Sequence, residues 1–176
     1  MRTLRACEPP RPRVRTDSLH VTAHHETRTV PYSADLMYAV VADVERYPQF
    51  LPWCIGLRVL SRQYDGPREI IKAEMIVGFK AFRERYTSRI VLDPAARTIA
   101  VSQTEGVFRY LRNDWAFVPD GERCQVNFAI EFEFKNRLLG VIAGQAFAHV
   151  LTRMSDAFEA RAREVDADRM RPGEPP

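Results

Sequence analysis

Between residues 24 and 168 the alternation of apolar and polar positions changes period twice, and each change marks a shift between strand and helix. From His24 to Val30 the chain alternates, which predicts a first strand ended by Pro31. Ser33 then offers a helix N-cap with Asp35 in the first turn. Leu36, Met37, Val40 and Val41 follow at the i, i+1, i+4, i+5 spacing of one helical face, fading at Asp43-Val44-Glu45. In Tyr47 to Cys54, Pro48 and Pro52 limit regular structure to a short helical turn. That segment crowds Tyr47, Phe50, Leu51 and Trp53 together and must bury them or touch something apolar.

After Gly56 the period becomes two, and six strand-like runs follow before about residue 135. In Ile70 to Phe79 the charges Lys72 and Glu74 mark the outer face and leave Ile71, Ala73, Met75, Val77 and Phe79 inward. In Val126 to Phe134 every even position is apolar, and in Leu111 to Phe117 the inward set is Leu111, Asn113, Trp115 and Phe117. The run Phe82 to Leu92 differs, because Arg83, Arg85, Thr87 and Arg89 mark solvent and turn Glu84, Tyr86 and Ser88 inward with Phe82 and Ile90. A buried polar group without a partner costs about 1–3 kcal/mol, so these three bond one another, meet water in a cavity, or meet a ligand.

Leu138 to about Val165 reads as a long helix whose stripe holds Ile142, Ala143, Phe147, Val150, Leu151, Met154, Ala157, Phe158 and Arg161. The order of elements predicts an α+β fold, with helices gathered on one face of a curved seven-stranded antiparallel sheet. The space between sheet and long helix is then a packed core or a ligand cavity.

Composition sharpens this picture. The chain has 176 residues, enough for one domain, assigned here to residues 24–168. Residues 1–23, rich in Arg and Pro, and residues 169–176 read as disordered tails. The formal charge of +3 comes from the first twenty residues, where five arginines face Glu8 and Asp17, so the body is neutral. A neutral body argues against broad phosphate neutralisation. No stretch reaches the roughly 18 uncharged apolar residues of a membrane span. Cys7, Cys54 and Cys124 lack metal-site spacing, so no metal is expected and the thiols read as reduced, in a cytosolic compartment. The leader lacks the apolar run of a secretory signal, and its prolines oppose a mitochondrial presequence. No histidine is expected on an inward strand face, and no catalytic residue is assigned.

The chain also resembles a known family. The carrying residues are Tyr32-Ser33, Leu36-Met37-Tyr38, Val41 to Glu45, Tyr47-Pro48 and Phe50 to Cys54. Later come Glu84 with Tyr86 to Arg89, Gly106-Val-Phe108, Leu111 to Phe117, Phe132-Glu-Phe134 and Ala157 to Ala162. In this order they resemble the helix-grip fold of START-type lipid-binding domains, and within it the coenzyme Q-binding START-domain family. The resemblance implies a non-enzymatic carrier of ubiquinone or a related isoprenoid lipid, supporting respiration or quinone biosynthesis, with no cofactor beyond the bound quinone. Bacterial members are also named ribosome association toxins, a reading that the neutral body does not favour. Polyketide cyclase and aromatase proteins of the same fold supply a more distant, enzymatic one. The implied location is cytoplasmic, peripheral at the inner membrane, or at the mitochondrial inner membrane in a eukaryote.

On this reading a quinone ring enters between residues 48–54, where Trp53 would touch it, and the start of the long helix. Its tail would lie along Met75, Val77, Trp115, Phe117, Phe128, Phe132, Phe147, Val150, Leu151 and Met154. Tyr86, Ser88 and Asn113 would donate to ring carbonyls, with Glu84 orienting them. Phe50, Leu51 and Trp53, with Leu138, Leu139, Val141 and Ile142, would form an apolar gate in transient contact with a membrane.

Overall fold

The computed structural model describes residues 21–170 except 80 and 81, without side-chain detail at 79, 82 and 137–148. The first strand, β1 (Thr22–Val30), ends at Pro31 and is followed by α1 (Ala34–Ala42). The Ser33 side chain accepts a hydrogen bond from the Leu36 amide at 3.2 Å, satisfying a donor that the first helical turn leaves free. All four residues of the predicted helical face, Leu36, Met37, Val40 and Val41, are buried. A single 3-10 turn, Val44–Arg46, leads into α2 (Tyr47–Phe50), which stops two residues before Pro52.

The six predicted strands are β2 (Cys54–Asp65), β3 (Arg68–Phe79), β4 (Phe82–Asp93), β5 (Thr98–Gly106), β6 (Phe108–Asp120) and β7 (Arg123–Phe134). They form one antiparallel meander, and β1 joins its far end against β7, giving the order β1-β7-β6-β5-β4-β3-β2. Register shifts at Cys54/Gly56, Val59/Ser61, Thr87/Ser88 and Phe108/Tyr110 interrupt the ladders. Such bulges increase local twist and bend, which lets a sheet curl around a helix. One of them corrects the expected solvent position of Thr87, which is buried. Thr104 is the extra β5 residue at that step, and its hydroxyl donates to the Thr87 carbonyl at 3.2 Å.

The long helix α3 (Arg137–Met170) runs five residues past the predicted end, just as β1 begins two residues before its predicted start. Leu151, Phe158 and Ala162 are buried between α3 and the sheet. Phe158 is the hub of an aromatic cluster, with its ring 5.4 Å from Tyr47, 5.5 Å from Phe50 and 5.4 Å from Trp115. The Tyr47 hydroxyl donates to the Val41 carbonyl at 2.6 Å, fastening α2 to the end of α1. Among the described residues, no helix is long and apolar enough to cross a membrane.

Candidate functional site

Between the concave sheet face and α3 lies a partly open cavity of about 350 Å³. The inward residues of β3 to β7 form its wall, because strand alternation sends every second side chain to the concave side. Burial grades along it. Val77, Glu84, Val107 and Phe134 are half-buried at one end, whereas Ala73, Ile90, Ile99 and Trp115 are fully buried at the other. Trp115 and Phe158 meet edge to face at the closed end and make its floor.

The wall is apolar apart from a few groups. The Tyr86 hydroxyl donates to the Met75 sulfur at 3.1 Å, and its ring meets Phe108 edge-on at 5.3 Å. Burial pushes the Tyr86 and Tyr47 phenols well above their ordinary range, so both stay protonated. Cys54 also lines the cavity, and desolvation raises its thiol to about 11. Glu84 stands at the half-buried end and Ser88 is buried further in, while Asn113, half-buried, lies by strand register in the next inward row, level with Ile90. Ser88 Oγ and Asn113 Oδ1 are both buried without a hydrogen-bond partner among the described residues. Trp53 adopts a left-handed backbone (φ 67°), and its carbonyl accepts the Gly78 amide at 2.9 Å. A bulky residue in that region carries strain of about 1–3 kcal/mol, here at the cavity wall.

Of the residues singled out from the sequence, Trp53, Met75, Val77, Glu84, Tyr86, Ser88, Asn113, Trp115, Phe132, Val150 and Met154 line the cavity. Phe117, Phe128 and Leu151 do not: they are buried in the sealed core instead. Phe128 packs on Trp115 at 4.2 Å and Phe117 lies parallel to it at 6.2 Å. The indole thus divides the inward face into cavity and core. Of the expected gate, Phe50 turns inward onto Tyr47 and Phe158, and Leu51 and Trp53 line the cavity. The side chains of Phe147, Leu138, Leu139, Val141 and Ile142 lie outside the described residues. The sequence reading missed Tyr47, Cys54, Phe108 and Phe158 as wall residues. Phe108 opens β6 two residues after Gly106 ends β5, so alternation gave it no face.

A second correction concerns histidine. His24 does lie on the inward face of β1, with its ring 6.5 Å from Phe128 and Nε2 3.8 Å from Glu26. It belongs to a polar seam joining β1 to α3, outside the large cavity. In that seam Arg28 bonds Glu26, Asp156 and Glu159, and the Ser155 hydroxyl donates to Glu26 at 3.0 Å. Among the described residues, no group of three His, Cys, Asp or Glu side chains could hold a metal ion.

Comparison with known proteins agrees with this architecture. Residues 30–159 match the family described as polyketide cyclase / dehydrase and lipid transport. The ribosome association toxin RatA of Escherichia coli (strain K12) is 36% identical over 143 residues, 79% of this chain and 85% of that protein. The mitochondrial coenzyme Q-binding protein COQ10 homolog B of Xenopus laevis is 34% identical over 146 residues, 81% of this chain and 58% of the relative. The solution structure of an 18 kDa protein from Caulobacter crescentus superposes with a TM-score of 0.71 at 36% identity, covering 83% of this chain and 99% of that one. The grip of a curved seven-stranded sheet on one long helix, the cavity between them and these matches together place the chain in the polyketide cyclase / dehydrase and lipid-transport family.

Proposed function

We propose that this protein binds an isoprenoid quinone in the cavity between sheet and α3 and carries it to or from a membrane, without transforming it. The observation that carries this reading is the cavity itself: partly open, about 350 Å³, and apolar over most of its wall. Apolar area removed from water contributes about 25 cal/mol per Å², offset in part by ordering of the ligand. The coenzyme Q-binding name of the Xenopus relative supports the quinone class. A binding role is favoured over catalysis because the relatives at 34–36% identity are named as a toxin and a coenzyme Q-binding protein, not as enzymes. Organic extraction of protein purified from quinone-producing cells, followed by mass spectrometry, tests the proposal. A copurified isoprenoid quinone is expected. No extractable lipid, together with no saturable quinone binding, would overturn it.

A second reading, translation inhibition through ribosome contact, draws on the RatA relative and on one surface feature. Lys72, Arg89, Ser102 and Arg112 occupy one cross-strand row on the outer sheet face. Lys72 and Arg112 each have an acidic neighbour, Glu105 at 3.8 Å and Asp114 at 2.7 Å. Cationic neighbours directly across a strand pair are unfavourable, and a polyanion would offset that cost. The neutral charge of the body therefore hid a local row. Cosedimentation with ribosomal subunits, abolished by Arg89→Glu, would support this reading, and no cosedimentation at low salt would end it.

A further inference from the structure

Two buried polar atoms on residues of the cavity wall have no hydrogen-bond partner among the described residues. Ser88 is 5% exposed and Asn113 is half-buried, yet Ser88 Oγ and Asn113 Oδ1 are themselves buried and have no partner among the described residues. Their neighbours explain why. Ser88 pairs with Ala73 on one side and Gln103 on the other. Gln103 is already committed, its amide donating to the Phe108 carbonyl at 2.7 Å and accepting the Phe108 amide at 3.1 Å. Asn113 is flanked by Val101 and Ile130, which offer no polar side chain. Tyr86 spends its hydroxyl on Met75.

We infer that Ser88 and Asn113 form a subsite for an uncharged, oxygen-bearing head group, so that a lipid enters this cavity head first. The inference rests on the proposal that the cavity holds an isoprenoid quinone, and it assigns the orientation and the chemical class the cavity selects. A hydroxyl and a primary amide each donate and accept, so the pair suits carbonyl oxygens of a quinone ring and hydroxyls of its reduced form alike. An anionic head is disfavoured, because no Lys or Arg lines the cavity among the described residues and its one charged side chain is Glu84. Fatty acids and phospholipids are thereby selected against.

Depth sets the orientation. Along β4 the inward residues run Glu84, Tyr86, Ser88, Ile90 from the half-buried end to the buried end. Asn113 faces Val101, itself opposite Ile90, one inward step deeper than Ser88. A head at this depth leaves the tail to run out past Val77 and Phe134. The volume sits near the lower end of the roughly 300–1,000 Å³ of ligand pockets, so the ring and a short stretch of chain fill it. Affinity is then nearly independent of tail length beyond the first isoprene units.

The test uses the full chain and its own tryptophans, since Trp53 and Trp115 both line the cavity. Quenching of their fluorescence is titrated with a benzoquinone bearing two isoprene units, with oleate, and with a neutral naphthylamine dye. Wild-type protein is expected to bind the quinone saturably and oleate at least tenfold more weakly. Ser88→Ala and Asn113→Leu are each expected to weaken quinone binding about five- to tenfold, the range for one hydrogen bond. Both are also expected to raise the thermal midpoint of the ligand-free protein, because an unsatisfied buried polar group is removed. If Asn113→Leu lowers that midpoint, Asn113→Ala replaces it. Variants that bind the quinone within twofold of wild type would overturn the subsite, and oleate binding as tight as the quinone would overturn the head-group chemistry. If neither the quinone nor the dye binds saturably, the carrier proposal itself fails.

Discussion

Replacing Gly106 by alanine isolates the contact that sets the position of Tyr86 on the cavity wall. Gly106 pairs with Tyr86 across β5 and β4 and has φ +126°, a region that side chains rarely adopt. A methyl group built there falls 2.5 Å from Tyr86 Cβ, 2.6 Å from its Cα and 2.8 Å from the Arg85 carbonyl oxygen. Carbon atoms in contact prefer about 3.5–4.0 Å, and none of these neighbours is the free end of a side chain, so β4 must move. Backbone strain costs about 1–3 kcal/mol and overpacking about the same again, which gives a loss of about 3 kcal/mol or more. With a urea dependence of about 1–3 kcal/mol per molar, the unfolding midpoint should fall by about 1–3 M. Moving Tyr86 also disturbs its bond to Met75 and its contact with Phe108, so quinone affinity should fall with stability. Gly66→Ala is the internal control. Its φ is +59° with nothing within 4 Å, so it bears only the left-handed penalty of about 1–2 kcal/mol. The reasoning is refuted if urea titration finds Gly106→Ala no more destabilising than Gly66→Ala.

Three further outcomes follow from the packing and the charges. Phe158→Ala should cost about 3–5 kcal/mol in denaturant unfolding, because three aromatic partners lose their common contact; a cost under 1 kcal/mol would contradict the hub. Cys54 and Cys124 are buried with thiols raised to about 11 by desolvation, so alkylation at pH 8 should be slow at both. Peptide mapping after iodoacetamide treatment should show a bound quinone slowing Cys54, on the cavity wall, and sparing Cys124; equal protection of both would count against that placement. Asp93 is held below its ordinary range by the Ala96 amide and the Arg68 guanidinium, and Asp35 by Arg97. A lowered folded-state pKa contributes stability above the unfolded value near 3.9 and loses it as pH falls through the folded value. The urea midpoint should therefore drop below about pH 4, and Asp93→Asn should flatten that acid limb; an unchanged acid limb would argue against it.

Local pattern alone specified most of the elements and the face each strand turns inward. Ser33, the paired apolar positions of α1 and the alternation of β3, β6 and β7 behave as their spacing requires, because side-chain direction repeats every two or 3.6 residues whatever lies far away. Alternation likewise put Glu84, Tyr86, Ser88 and Asn113 on the side where the cavity lies.

Depth was decided by the tertiary structure. Trp115, Phe117 and Phe128 share one inward character in sequence, yet the indole of Trp115 faces the cavity while the two phenyl rings close the core behind it. Face is a property of one strand, whereas distance from α3 depends on how seven strands curl, which bulges set at a few positions. The same holds for Thr87, buried at a bulge, and for His24, which faces inward once β1 pairs with β7 rather than with its neighbour in sequence. The sequence offered Ser88 and Asn113 as polar groups with their bonding open. Only the fold brought Gln103 to Phe108, set Ala73, Val101 and Ile130 around the remaining two, and left Ser88 Oγ and Asn113 Oδ1 without a hydrogen-bond partner among the described residues, because a partner's availability depends on contacts between distant strands.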